Sequence, residues 1–307
     1  MQTPRTSYVT CFNPSGSHRM AYYEWGDAEN DAVLLCVHGL TRNGRDFDAL
    51  ARQLSADYRV VCPDIVGRGR SDWLAKPNYY QVPQYASDLL TLIARIQPRQ
   101  LNYLGTSMGG LIGIYLAGLL SLSERHTKSR GVAGLPPTAH LRIDKLILND
   151  IGPQLNAEGL QRIAQYVGND LIFENFNDAL QHFRETYVSF GPHTNDQWET
   201  LARNSFILHD ERWHPNYDLA IAQVMQQHTP DIIAEAEKQL WTAYQNLSFP
   251  ILVLRGALSD LLSPDTVAQM QARNPRTQSV EFANVGHAPT LIDSAQIKAI
   301  STFLHNR

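Results

Sequence analysis

Five apolar runs constrain this chain more than any other feature. They are "AVLLCVHG" (32–39), "YRVVCPD" (58–64), "QLNYLGTS" (100–107), "IDKLILND" (143–150) and "FPILVLRG" (249–256). Their apolar residues are consecutive rather than alternating, as in a strand covered on both faces of a parallel sheet. Between them lie stretches of helical spacing. Residues 45–56 place Phe47, Leu50 and Leu54 on one side, "YQVPQYASDLLTLIARI" (80–96) is amphipathic, and "GGLIGIYLAGLL" (109–120) carries glycines that allow close packing on a sheet. Strand and helix alternate, which predicts an α/β protein with a mostly parallel sheet and helices on both faces. Two alternating runs, "YVTCF" and "MAYYEW", flank a Pro/Gly turn near the start and read as a hairpin. Strand "QSVEFAN" (278–284) and helices 263–273 and 294–306 complete the pattern.

The alternation stops after Asp150. Residues 152–246 show helical periodicity and no clear strand, so they are expected to form a helical cap inserted between two strands of a core made of 1–151 and 247–307. Twelve aromatic residues lie in the insert, from Tyr166 to Tyr244. Most are expected to pack the cap against itself and the core, and a few to face an apolar pocket beneath it. "HDERWHP" (209–215) reads as solvated loop, as does "SERHTKSRGVAGLPPTAH" (123–140).

Composition excludes several classes. Lys and Arg number 26 against 30 Asp and Glu, with no basic block, which argues against nucleic acid and anionic membrane as partners. Cys11, Cys36 and Cys62 are an odd set without a CxxC pair, and fit buried free thiols in a reducing compartment. No apolar h-region opens the chain, and no apolar run reaches the ~18 residues of a membrane span. A cytoplasmic protein is expected. An apolar patch on the cap would supply a homodimer contact.

"LNYLGTSMGG" (101–110) carries the chemistry. Gly105-Thr106-Ser107-Met108-Gly109 sets a serine between two glycines, directly after a strand and before a helix. A nucleophile there stands on a sharp turn with its hydroxyl exposed, and Gly105 and Gly109 relieve the crowding. An activated serine needs a base, an acid to orient that base, and oxyanion donors, all at the C-terminal edge of the sheet. The base candidate is His287 in "EFANVGHAPTLID", just past the last strand. The acid candidate is Asp260 in "LVLRGALSDLLSP", with Asp150, which ends "LILND", as its rival. The donors expected are the backbone N–H groups of Met108 and of Leu40 in "HGL" (38–40). His38 is read as shaping that loop rather than as a second base.

Taken in order, "HGL" (38–40), "PDIVGRGRSD" (63–72), "GTSMGG" (105–110), "RGALSD" (255–260) and "VGHAPTL" (285–291) resemble the α/β-hydrolase fold superfamily over essentially the whole chain. "GRGRS" lacks the lysine and the spacing of a phosphate-binding P-loop. The order Ser107, Asp260, His287 is that of the family's triads. The resemblance implies a cap-bearing serine hydrolase that cleaves carboxylic esters of small to medium acyl substrates through an acyl-enzyme, with neither cofactor nor metal. Ser107 stands where dehalogenases and epoxide hydrolases of this fold carry Asp. Carboxylesterases, hydroxyalkanoate-oligomer hydrolases and the carbon–carbon bond hydrolases of ring-cleavage products remain as similar groups. The last usually place Asn where this chain has Thr106. A ligand-binding relative without turnover is the non-enzymatic alternative.

Overall fold

The computed structural model describes residues 3–129, 141–227 and 229–306. An eight-stranded sheet is its centre. It is built from β1 (Arg5–Asn13), β2 (Gly16–Trp25), β3 (Ala32–Val37), β4 (Arg59–Pro63), β5 (Gln100–Thr106), β6 (Lys145–Asn149), β9 (Ile251–Gly256) and β10 (Thr277–Phe282). Their spatial order is β1-β2-β4-β3-β5-β6-β9-β10. The β1–β2 and β2–β4 pairs are antiparallel and all others parallel.

The consecutive apolar runs explain the layers. Along β3, Val33, Leu35 and Val37 enter one buried cluster while Leu34 and Cys36 enter another on the opposite face. In β9, Ile251 and Val253 divide from Leu252 and Leu254 in the same way. One face is covered by α2 (Val82–Ile96) and α3 (Met108–Ser129), and the other by α1 (Asp48–Leu54) and α10 (Ser294–His305). Each Leu or Ile buried this way stabilises by about 1.5–3 kcal/mol, and a slipped strand would exchange its two faces. Helix α9 (Pro264–Arg273) joins β9 to β10, with Ser263 capping its first turn through the Thr266 N–H. The three cysteines are buried and free.

The insert between β6 and β9 carries α4 (Ala157–Ala164), α5 (Phe176–Thr186), α6 (Asn195–Ser205), α7 (Ile221–Met225) and α8 (Pro230–Gln245). It departs from the sequence expectation in two respects. First, it is not wholly helical: β7 (Phe206–His209) and β8 (Arg212–Pro215) form a hairpin. Its two turn residues, Asp210 and Glu211, have φ of 47° and 60°, the left-handed pair that a two-residue hairpin loop demands. Strands of four residues are too short to show an alternating pattern. Second, α8 packs on α3 rather than with the rest of the insert. Tyr244 is fully buried in the main core, and its hydroxyl meets Thr277 Oγ1 at 2.5 Å. Tyr166, Tyr217 and Trp241 join the same main core, whereas Phe173, Phe176, Phe206 and Trp198 make a small core of their own around Phe183.

Helix α3 also runs further than expected, so residues 123–129 are helical rather than loop. The rest of that expected loop, 130–140, lies outside the described residues. No helix among the described residues is long and apolar enough to cross a membrane.

Candidate active site

Strand β5 delivers Ser107 to the sheet's C-terminal edge, and α3 begins at the next residue. Ser107 has φ of 52°, a left-handed conformation that a non-glycine residue adopts only under constraint. The flanking glycines make that turn sterically feasible. A Cβ on Gly105 would lie 2.3 Å from the carbonyl carbon of Gly109, and one on Gly109 would lie 2.1 Å from the oxygen of Val37. The strand–turn–helix can therefore close only with glycine at both positions.

His287 follows β10 in a loop fixed on two sides. Gly286 donates its N–H to Ser189 O (2.6 Å) in the insert, and Asn149 Nδ2 donates to Pro289 O (2.8 Å). The imidazole lies between two partners: Nε2 is 2.8 Å from Ser107 Oγ, and Nδ1 is 2.8 Å from Asp150 Oδ2. A carboxylate can only accept, so Nδ1 carries the hydrogen and Nε2 is left to accept from the serine hydroxyl.

The acid beside His287 is Asp150, which corrects the assignment to Asp260. Asp150 follows β6 with φ of 57° and is completely buried. Gly256 N–H donates to its Oδ1 (2.8 Å), and Ser259 Oγ donates to its Oδ2 (2.5 Å). Asp260 is instead taken by the insert. Arg162 of α4 grips both its oxygens, Nε to Oδ2 at 2.5 Å and Nη2 to Oδ1 at 2.9 Å. That hydrogen bonding holds the Asp260 carboxyl below its ordinary range, with a smaller contribution from His287. Ser259, which the sequence reading passed over, lies in the same loop and supports the acid.

The start of α3 and the loop after β3 lie beside the serine. Met108 opens the 22-residue α3, so its N–H is one of those that a helix start leaves without an intrahelical acceptor. The loop after β3 lies against the serine, since a Cβ on Gly39 would be 3.7 Å from Ser107 Cβ. His38 sets the geometry of this loop. Ile65 N–H donates to its Nε2 (2.9 Å), so Nδ1 bears the hydrogen and donates to Gly39 O (2.7 Å). In a trans peptide the carbonyl and the next N–H point in opposite directions, so fixing Gly39 O aims Leu40 N–H away from it.

His38 is wholly buried, and burial lowers its pKa to about 3, helped by the charges of Arg68 and Arg42. Its ordinary value is near 6.5, so between pH ~6.5 and ~3 the unfolded chain binds a proton that the native state refuses. The stability it confers is complete above that window and is lost as pH falls through it. Asp64 anchors the following loop by accepting from Gly44 N, Arg70 N and Tyr23 Oη, and burial pushes its pKa up to about 6, which opposes His38 at acid pH. Comparing native protein with His38→Gln cancels the Asp64 contribution. Urea unfolding is expected to show the native advantage over His38→Gln shrinking steadily from pH 7 to pH 4. A pH-independent difference would contradict a neutral, buried His38.

Among the described residues one group of metal-ligating types converges, Cys11, His18 and Asp88. It is closed by its own hydrogen bonds. His18 Nε2 meets Asp88 Oδ2 (2.9 Å), Nδ1 meets Asn13 Nδ2 (3.1 Å), and Gln84 donates to Asp88 Oδ1 (2.8 Å). Burial pushes the Cys11 thiol up to about 12, far from the thiolate a metal would need. The cluster fastens the N-terminal hairpin to α2.

The chain as a whole resembles known proteins. A 3-hydroxybutyrate-oligomer hydrolase of Cupriavidus necator is 46% identical to the chain, with 98% of each covered. A pimeloyl-[acyl-carrier protein] methyl ester esterase of Aeromonas salmonicida is 26% identical, over 87% of this chain and 92% of the esterase. Among solved structures, an α/β hydrolase from Novosphingobium aromaticivorans is 34% identical with a TM-score of 0.81 over 99% of both chains. The sequence profile of the α/β-hydrolase fold matches residues 32–293, and the chain belongs to that family.

Proposed function

We propose that this chain is a serine hydrolase that cleaves the ester bonds of short 3-hydroxyalkanoate oligomers through an acyl-enzyme. The observation that carries the chemistry is the continuous contact from Ser107 Oγ to His287 to Asp150, with both links at 2.8 Å. The substrate class is supported by the near full-length likeness to the Cupriavidus necator oligomer hydrolase.

In this reading His287 Nε2 takes the hydroxyl proton as Ser107 Oγ attacks the ester carbonyl carbon. Asp150 stabilises the imidazolium and keeps its Nδ1–H in place. The Leu40 and Met108 N–H groups hold the oxyanion, which in a dry site contributes the largest share of rate enhancement. As the tetrahedral adduct collapses, the leaving 3-hydroxyl oxygen receives its proton from His287. Water then attacks the acyl-Ser107 ester with His287 again as base, and the second product leaves as a free acid. None of these steps draws on a cofactor or metal. The insert acts as a cap: Tyr187 Oη meets Thr41 Oγ1 at 3.0 Å beside the oxyanion loop, and Ser189 grips the His287 loop.

The purified chain is expected to hydrolyse linear 3-hydroxybutyrate dimer and trimer to monomer. Their kcat/KM should exceed that of pimeloyl methyl ester by at least about tenfold, or about 1.4 kcal/mol of transition-state discrimination. Inertness toward the oligomers would overturn the substrate assignment, and turnover of a vinylogous diketone acid instead would move the chain to the carbon–carbon hydrolases.

A further inference from the structure

Arg68, in the "GRGRS" loop after β4, is a fully buried cation. Its Nε donates to Leu40 O (2.9 Å), one Nη donates to Val66 O (2.8 Å) and Tyr85 Oη (3.0 Å), and the other contacts Met108 Sδ (3.5 Å). None of these partners among the described residues is a carboxylate. The guanidinium also lies over the rings of Tyr85 and Tyr80, at 5.0 and 5.7 Å. Removing a guanidinium from water without an ionic partner is costly, and an apolar side chain of similar volume would usually serve a core better. Its contacts suggest what it does instead: it touches both residues assigned above as oxyanion donors, Leu40 through its carbonyl and Met108 through its side chain.

We propose that Arg68 is the positioning residue of the oxyanion hole, holding the Leu40 and Met108 segments at a fixed separation. The proposal rests on the reading of Ser107 as the nucleophile. Arg68 reaches the Leu40–Thr41 peptide, whereas His38 holds the Gly39–Leu40 peptide, so the two clamp successive peptide planes of one loop. The Arg68 charge adds to the burial that lowers the pKa of His38 in this loop. The backbone around Arg68 is pinned to the insert as well. Gly69 N donates to Asn216 O (3.0 Å), and Asp218 N donates to Gly67 O (2.8 Å). The clamp therefore sits where core and insert meet, and the two oxyanion donors are set by groups outside the triad.

The test uses Arg68→Met, which keeps volume, and Arg68→Lys, which keeps charge but not the planar fork. Endpoint titration with an organophosphonate counts competent sites, so that kcat for p-nitrophenyl butanoate is expressed per folded site. Arg68→Met is expected to lower this kcat roughly 10- to 100-fold with KM changed by less than about threefold. Affinity for an alkyl trifluoromethyl ketone, whose serine adduct carries an oxyanion, should fall by the same factor. Inhibition by 3-hydroxybutyrate product should not move, and Arg68→Lys should recover part of the loss. A per-site kcat within threefold of the native value, or equal losses in ketone and product binding, would overturn the clamp. If native protein takes no organophosphonate on Ser107, the nucleophile reading fails and the clamp with it.

Discussion

Asp150→Asn is expected to lower kcat about 10³- to 10⁴-fold, while Asp260→Asn leaves it within about threefold. The reason lies in hydrogen-bond polarity. Asp150 accepts from Gly256 N–H, Ser259 Oγ–H and His287 Nδ1–H. An asparagine there would keep Oδ1 toward the Gly256 N–H and turn its NH₂ toward His287. Nδ1 would then have to accept, the ring hydrogen would move to Nε2, and His287 could no longer take the Ser107 proton. Asp260→Asn removes a partly exposed ion pair with Arg162, whose side chains are 39% and 33% exposed, an interaction of the kind that rarely exceeds about 1 kcal/mol. Steady-state kinetics of both variants on p-nitrophenyl butanoate decide the matter. Severe loss in Asp260→Asn with a competent Asp150→Asn would reverse the assignment.

The sequence favoured Asp260 although Asp150 is the carboxylate in contact with His287, for a physical reason. Asp260 and Asp150 both follow buried strands, and a single chain does not reveal which strands are neighbours. In the sheet, β6 pairs directly with β5, with Thr106 opposite Asn149, so Asp150 leaves the edge beside Ser107. Asp260 leaves β9, one strand further away. The strands and the serine turn were legible because two-sided burial and steric need for glycine write themselves into local sequence. Ser107 and His287 could be paired because each follows a strand end. The β7–β8 hairpin was not legible, since its Asp210–Glu211 turn lacks the Asn-Gly or Asp-Gly signal and its strands span four residues each. Arg68 was hidden for a different reason. An arginine in a glycine-rich loop reads as solvent-facing, and only tertiary packing shows it buried between Leu40 and Met108.

The central claim is that Ser107 carries the acyl group. Ser107→Ala removes the attacking oxygen while leaving the His287–Asp150 contact intact, and comparable serine deletions in triad enzymes cost on the order of 10⁶-fold in kcat. The most direct measurement is to mix the protein with 3-hydroxybutyrate trimer, quench in acid within milliseconds, and map the added mass by peptide mass spectrometry. The account predicts a hydroxybutyryl group on the peptide containing Ser107 in native protein quenched during turnover, less of it once the trimer is exhausted, and none in Ser107→Ala. Turnover or acylation that persists at the native level in Ser107→Ala would contradict it.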